Sequence, residues 1–270
     1  MTPALPLSTK SGRVKAARKL TRRRDRAEHR LFLAEGAKAL TEAVASGTLV
    51  EVFASEAATG QYAALRKAVD DAGVPWQVAG SDVIGALSGS VSPQGIVAVC
   101  RFHDAPLEAV LVPGTQRATV AICADVRDPG NAGTVIRCAD AAGASGVVLA
   151  GQSVDLYNDK TVRATVGSLW HLPVALASEP FEVVRAAREA GFVVLAADGA
   201  GEIDLFDAES SGLLDQRVAW LFGNEAHGLP GELAALADHR VSIPILGRAE
   251  SLNLATAAAV CLYASARAAR

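Results

Sequence analysis

Short apolar runs with little apolar/polar alternation recur along the chain, each followed by a stretch with helical spacing. In the first third, Leu31–Ala34, Leu49–Ala54, Trp76–Ala79 and Gly95–Arg101 read as strands. Lys38–Ala45, Gln61–Asp71 and Asp82–Leu87 read as the helices between them, with Gly73 and Pro75 as a stop signal. Residues 10–30, where Val14, Ala17 and Leu20 sit among basic side chains, read as a short basic helix. Residues 103–117 (HDAPLEAVLVPGTQR) carry two prolines and a glycine and read as a linker. The alternation then resumes. Strands are expected at Thr119–Ala124, Gly146–Ala150, Val174–Ala177, Phe192–Ala197, Val218–Phe222 and Val241–Ile245. Helices are expected at Asn131–Ala142, Thr161–Leu169, Phe181–Ala190 and Glu232–Leu236, with an alanine-rich closing helix at Asn253–Ala268. Apolar strands separated by helices predict a parallel sheet covered on both faces. The expected organisation is therefore α/β in four parts: a basic arm (1–30), a small α/β domain (31–102), a linker (103–117) and a larger parallel-sheet domain (118–270).

Charge sharpens this picture. Residues 1–30 hold ten Lys or Arg against two acids, a net of +8, so the rest of the chain carries −11 of the overall −3. A basic segment on an acidic body is a footprint of polyanion binding, and Arg22, Arg23 and Arg24 are its densest part. A solvated helix would show the same charge run. Cys100, Cys123, Cys138 and Cys261 have no metal or redox spacing and apolar neighbours, so buried reduced thiols are expected. No apolar run reaches the ~18–20 residues of a membrane span. The first ten residues lack the pattern of a secretory leader. The expected location is cytoplasmic, with no membrane association.

In an open parallel sheet, ligands bind at the carboxyl ends of the strands. No expected strand there is followed by G-x-G-x-x-G or a P-loop, which excludes the usual nucleotide-binding fingerprints. No G-x-S-x-G elbow, H-E-x-x-H or paired C-x-x-C is present, so neither a serine-hydrolase site nor a metal is expected. Three other clusters follow strands. The first, Asp125 to Arg137 (DVRDPGNAGTVIR), is a polar Pro/Gly turn opening a helix, with Asn131 near the helix start and Arg137 six positions on. The second, Leu221 to Leu229 (LFGNEAHGL), places Gly223 and Glu225 in a glycine-flanked turn. In the third, Ile243 to Ala255 (IPILGRAESLNLA), Ser251 reads as a helix cap and Asn253 falls at the start of an apolar helix. Taken singly, each cluster also fits an ordinary strand-to-helix loop with a capping side chain.

Together, in this order and spacing, the three clusters resemble the motifs of the SpoU/TrmH family of RNA ribose methyltransferases, over roughly residues 118–268. Residues 31–102, above all Phe32-Leu33-Ala34-Glu35-Gly36, resemble that family's L30-like substrate-binding domain. The whole layout is similar to its ribosomal-RNA branch, which includes thiostrepton- and avilamycin-resistance enzymes. The resemblance implies a trefoil-knotted SPOUT catalytic domain, a homodimer and S-adenosyl-L-methionine as cofactor. It implies methylation of a ribose 2′-hydroxyl in structured RNA, with rRNA favoured over tRNA by the N-terminal domain. It assigns cofactor contacts to Gly223, Ile243 and Leu252, and the reaction to Arg137, Asn131, Glu225, Ser251 and Asn253. Arg163 falls where related enzymes carry a second basic residue facing RNA; a helix-surface role fits it equally. The resemblance gives Arg137 the part of base, but arginine's pKa lies above about 12. Binding a phosphate and polarising the 2′-oxygen is the physically simpler role. His227, though its ordinary pKa would suit a base, is taken as a loop residue. A different class of function, a non-catalytic RNA-binding or assembly protein, is disfavoured by the complete set of five reaction residues. An α/β enzyme using another nucleotide is disfavoured by the missing glycine-rich fingerprint.

Overall fold

The computed structural model describes residues 6–114 and 116–268. The start of the expected arm (1–5), Thr115 of the expected linker and the last two residues lie outside it. The chain divides into two compact units. The first runs up to His103 and takes in Tyr157–Trp170; the second comprises Asp104–Leu156 and His171 onward.

The first unit opens with α1 (Gly12–Lys19) and α2 (Arg23–His29). It continues through β1 (Leu31–Glu35), α3 (Ala37–Ala45), β2 (Leu49–Ala54), α4 (Glu56–Gln61), α5 (Ala63–Asp71), β3 (Trp76–Val78), α6 (Ser81–Leu87) and β4 (Ile96–Arg101). Its sheet has the order β1-β4-β2-β3, with β4 antiparallel to both neighbours and β2 parallel to β3. The basic stretch forms two short helices instead of one. It is also anchored: Val14, Ala17 and Leu20 are buried in one apolar cluster with Val83, Ile84 and Leu87 of α6 and with Leu33, Phe53 and Val97 of the sheet. Apolar positions at spacing three turn one face of the helix inward and leave Lys15, Arg18 and Lys19 exposed.

The second unit holds α7 (Leu107–Val110), β5 (Thr119–Ala124), α8 (Pro129–Ala141) and β6 (Gly146–Ala150). Next in the chain is α9 (Asp159–Thr165), which belongs to the first unit. The second unit resumes with β7 (Val174–Ala177), α10 (Pro180–Glu189), β8 (Val193–Ala197), β9 (Ile203–Asp204) and α11 (Leu205–Ser210). It ends with β10 (Val218–Phe222), α12 (Gly231–Ala234), β11 (His239–Ser242) and α13 (Leu254–Ala268). Its seven strands are all parallel, in the order β7-β6-β5-β10-β8-β11-β9. The chain builds outward from β5 to β7, then reverses to the other side, and β10 fills the gap between β5 and β8. One core joins inward residues of β5, β6, β8 and β10 to α7, α10 and α12. On the α8 and α13 side, buried Trp220 of β10 donates its indole N–H to Ser265 Oγ on α13 at 2.9 Å.

Further expectations change. The segment expected as a linker is part of the second unit from Asp104 on, and Val110 and Leu111 are buried in its core. Two apolar side chains side by side between prolines held too short a period to read. The helix expected to Leu169 ends at Thr165, because Val166 is left-handed and Gly167 follows it with φ +98°. The last strand ends at Ser242, not Ile245, since Pro244 has no N–H to give a ladder. Finally, β9 and α11 occupy a stretch to which no element was assigned.

Candidate functional site

The reversal of strand order sets the carboxyl ends of β5, β8, β10 and β11 around one crevice. The three sequence clusters leave those ends. A cleft of about 320 Å³ opens there, walled by Phe222, Val241, Ile243, Ile245, Leu252, Leu254 and Ala257, with Asp198, Glu225 and Glu250 among its polar groups. Gly223, Ile243 and Leu252 all line it, as do Glu225 and Ser251.

The turn after β10 is closed in both directions: Asn224 N–H donates to the Gly228 carbonyl and Gly228 N–H to the Asn224 carbonyl, each at 2.9 Å. Gly228 has φ +66°. Gly223 has no room for a side chain, because a Cβ would lie 2.3 Å from the Gly228 carbonyl carbon and 2.5 Å from the Leu229 nitrogen. Asn224 Nδ2 donates to the Asp125 carbonyl at 2.9 Å, tying the turn to the end of β5.

Glu225 is the hub. Its Oε2 accepts the Arg127 N–H at 3.1 Å and its Oε1 the Asp128 N–H at 3.0 Å. Oε1 also accepts Asn131 Nδ2 at 3.2 Å, and Asn253 Nδ2 donates to Asn131 Oδ1 at 3.0 Å. One chain of bonds thus links Glu225, Asn131 and Asn253, one residue from each cluster. Partial burial alone would push the Glu225 carboxyl up. The backbone N–H groups of Arg127, Glu225 itself and Asp128, with the Asn131 amide, outweigh it and hold the group below its ordinary value. Below the site, burial pushes the Cys123 thiol up to about 12, with the Glu225 charge adding to the effect.

Asn253 caps α13 instead of lying inside it. Its Oδ1 accepts the N–H groups of Ala255 at 2.9 Å and Thr256 at 3.3 Å, the role expected of Ser251. Asp128 caps α8 by accepting the Asn131 N–H at 2.8 Å.

Arg137 is not brought into this cluster. Six residues along α8 from Asn131 place it about 9 Å further on and about 240° around. It is exposed, and among the described residues it has no hydrogen bond or ion pair. Arg163 lies on α9 in the first unit, where it pairs with Asp159 at 2.9 Å and Glu35 at 3.8 Å, and it is not among the residues that line the cleft. Arg22, Arg23 and Arg24 are exposed at the start of α2. Among the described residues, no group of His, Cys, Asp and Glu is placed to hold a metal, and no helix is long and apolar enough to cross a membrane.

Sequence reading gave no role to Asp125, Asn224 or Gln152. Asp125 has φ +56° and its Oδ1 accepts the Gln152 N–H at 2.7 Å. An Asn opening a glycine-closed turn was the one available signal for Asn224.

Two family models match. Residues 118–263 match the SpoU rRNA Methylase family, and residues 12–98 match the MRM3-like substrate binding domain. The chain is 33% identical to the 23S rRNA (guanosine(2553)-2′-O)-methyltransferase RlmP of Bacillus subtilis, over 95% of this chain and 96% of that protein. It is similar to the crystal structure of an AdoMet-bound rRNA methyltransferase from Sinorhizobium meliloti, with TM-score 0.85 and 34% identity over 98% of each chain. It is also similar to the SpoU methyltransferase AviRb from Streptomyces viridochromogenes in complex with AdoMet, with TM-score 0.81 and 30% identity over 95% of this chain and 98% of that one.

Proposed function

This chain belongs to the SpoU rRNA methylase family, and from that premise we propose how its residues methylate a ribose 2′-hydroxyl of 23S rRNA with S-adenosyl-L-methionine. The activity is that of an S-adenosylmethionine-dependent RNA 2′-O-methyltransferase, and rRNA is favoured over tRNA. The observation that carries the assignment of roles is the Glu225–Asn131–Asn253 chain of hydrogen bonds at a cleft lined by Gly223, Ile243 and Leu252.

The cleft fits the cofactor's chemistry. Apolar walls suit a flat adenine, and the carboxylates suit ribose hydroxyls and a sulfonium charge. Gly223, Ile243 and Leu252 would hold it. Bound there, it supplies an electrophilic methyl group. The residues' part is alignment, since a 2′-oxygen held in line with that methyl needs little further help. Asn131 and Asn253 fix each other, and Glu225 fixes Asn131, so the amides are preorganised to hold the ribose. Ser251 supports the loop. Arg137 offers five exposed donors to a phosphate next to the target, which would polarise the 2′-oxygen's surroundings without arginine losing a proton.

Four further features belong to this reading. The L30-like first unit binds RNA through Arg22, Arg23 and Arg24 and through Arg163. The loop 243–253 and α13 are threaded as a trefoil knot; in support, β10 lies between β5 and β8, and α13 packs on α8, β5 and β10. The chain works as a homodimer, with exposed Val260 and Tyr263 of α13 available to a second copy. The location is cytoplasmic.

Purified protein incubated with tritiated S-adenosylmethionine should label unmodified 23S rRNA and not tRNA, and Arg137→Ala should lose the label. Label in tRNA would move the substrate. Absence of cofactor binding would remove the reading.

A further inference from the structure

A second cavity opens beside the cofactor cleft, on the other side of the Asn224–Gly228 turn. It has about 340 Å³ and is bordered by Asp125, Arg127, Gln152, Asn224 and His227. It sits at the carboxyl ends of β5, β6 and β10, and no role has been assigned to it above. We propose that this cavity binds a phosphodiester of the substrate strand beside the methylated ribose, with Arg127 as the principal ligand. The inference rests on the RNA methyltransferase reading and deepens it.

The donors and acceptors of the cavity are unevenly used. Each side chain that offers an acceptor takes at least one hydrogen bond. Asp125 Oδ1 takes the Gln152 N–H at 2.7 Å, and the Asp125 carbonyl takes Asn224 Nδ2 at 2.9 Å. Asn224 Oδ1 takes the Ala226 N–H at 2.9 Å and lies 3.3 Å from His227 Nδ1. Glu225, on the same turn, is bound by the N–H groups of Arg127 and Asp128. The donors are open. Arg127 spends Nη2 on Gln152 Oε1 at 3.0 Å, and among the described residues its other side-chain N–H groups and the Gln152 NH₂ have no acceptor. A guanidinium with one edge steadied and the rest exposed suits a bidentate anion. An RNA strand that presents its ribose at the mouth of the cofactor cleft supplies that anion at every nucleotide.

Position links the cavity to the reaction. Arg127 N–H holds Glu225, which holds Asn131, so the guanidinium is fixed in the frame of the reacting residues. The frame is stiff: Asp125 has φ +56°, and a Cβ on Gly151 would lie 2.5 Å from Asp125 Oδ1.

Steady-state methylation of unmodified 23S rRNA by Arg127→Ala, with RNA affinity measured across salt concentrations, tests this. Truncation leaves the backbone N–H on Glu225 in place. KM for RNA should rise about tenfold, as for a lost hydrogen bond between charged groups. kcat and S-adenosylmethionine affinity should stay within about twofold, and the salt slope should fall by about one. Arg127→Lys should restore the slope, and Arg185→Ala, a charge lost from an exposed pair on α10, should change nothing. Unchanged KM and slope in an active protein would overturn this inference alone. A matching loss of S-adenosylmethionine affinity would also overturn it, by making Arg127 a structural support. No methyl transfer by the wild type would overturn the reading it rests on.

Discussion

Glu225→Gln isolates the hub of the site at almost constant shape. The carboxylate now receives three donors on two oxygens: Arg127 N–H on Oε2, and Asp128 N–H with Asn131 Nδ2 on Oε1. A glutamine can keep one oxygen in place, but its NH₂ then faces the Arg127 N–H, donor against donor. That contact is lost, and the other two lose the help of the charge. Hydrogen bonds to charged groups contribute about 1.5–3 kcal/mol each when dry. Glu225 is exposed and water can replace part of the loss, so we expect about 1–2 kcal/mol in all. Thermal unfolding should shift down by about 2–4 °C per kcal/mol. Methyl transfer should fall about tenfold, because a more weakly held Asn131 fixes Asn253 less firmly and each 1.4 kcal/mol of alignment is a factor of ten. The pH dependence has a definite sign. The folded carboxyl sits below its ordinary value. Its contribution is therefore fully present above about pH 4.3 and is lost as pH falls through the folded value. The stability gap between wild type and Glu225→Gln should thus close in acid. Equal melting temperatures and equal methylation rates at neutral pH would refute the hub assignment.

Gly223→Ala should abolish S-adenosylmethionine binding and destabilise the protein by at least about 1–3 kcal/mol, read by calorimetry, because its Cβ would collide with backbone atoms of Gly228 and Leu229 that cannot swing aside. Trp220→Phe should cost about 1–3 kcal/mol in chemical denaturation, since it leaves the buried Ser265 hydroxyl without the indole N–H. Native protein treated with iodoacetamide at pH 8 should be alkylated first at half-buried Cys138; Cys100, Cys123 and Cys261 are buried with thiols pushed up by desolvation and should react only on unfolding, as peptide mass mapping would check.

Most of the second unit was readable because a parallel strand buried on both faces is an unbroken apolar run, and β5, β6, β8 and β10 are such runs. The three clusters stood out because loops at strand ends carry polar groups with no core to serve, while the roles proposed for their residues came from the family resemblance. What escaped depended on distance in the chain. Val110 and Leu111 look like linker residues until a core closes over them. β9 is two residues long and gains its identity only from pairing with β11. Asn253 as cap and Ser251 as neighbour differ by two positions that spacing alone does not resolve. The outward placement of Arg137 follows from α8 being helical from Pro129 onward, which turns a sequence neighbour of Asn131 to another side.

The assembled site also bears on how an acidic unit can accept RNA. The second unit holds ten Lys or Arg against nineteen Asp or Glu, a net of −9, and Asp125, Asp128 and Glu225 crowd the strand ends where, on the proposed reading, a polyanion arrives. Left bare, those carboxylates would repel it. Each instead accepts at least one backbone N–H, from Gln152, Asn131, and Arg127 with Asp128 respectively. Their charge is thereby partly neutralised by fixed peptide dipoles, and the groups act as fasteners between loops. On the proposed reading, the exposed guanidinium of Arg127, steadied on one side by Gln152, then faces the phosphate. Removing a backbone N–H that one of these carboxylates accepts, as Gln152→Pro would at Asp125, should therefore harm RNA affinity as well as geometry, because it leaves the carboxylate bare toward the strand.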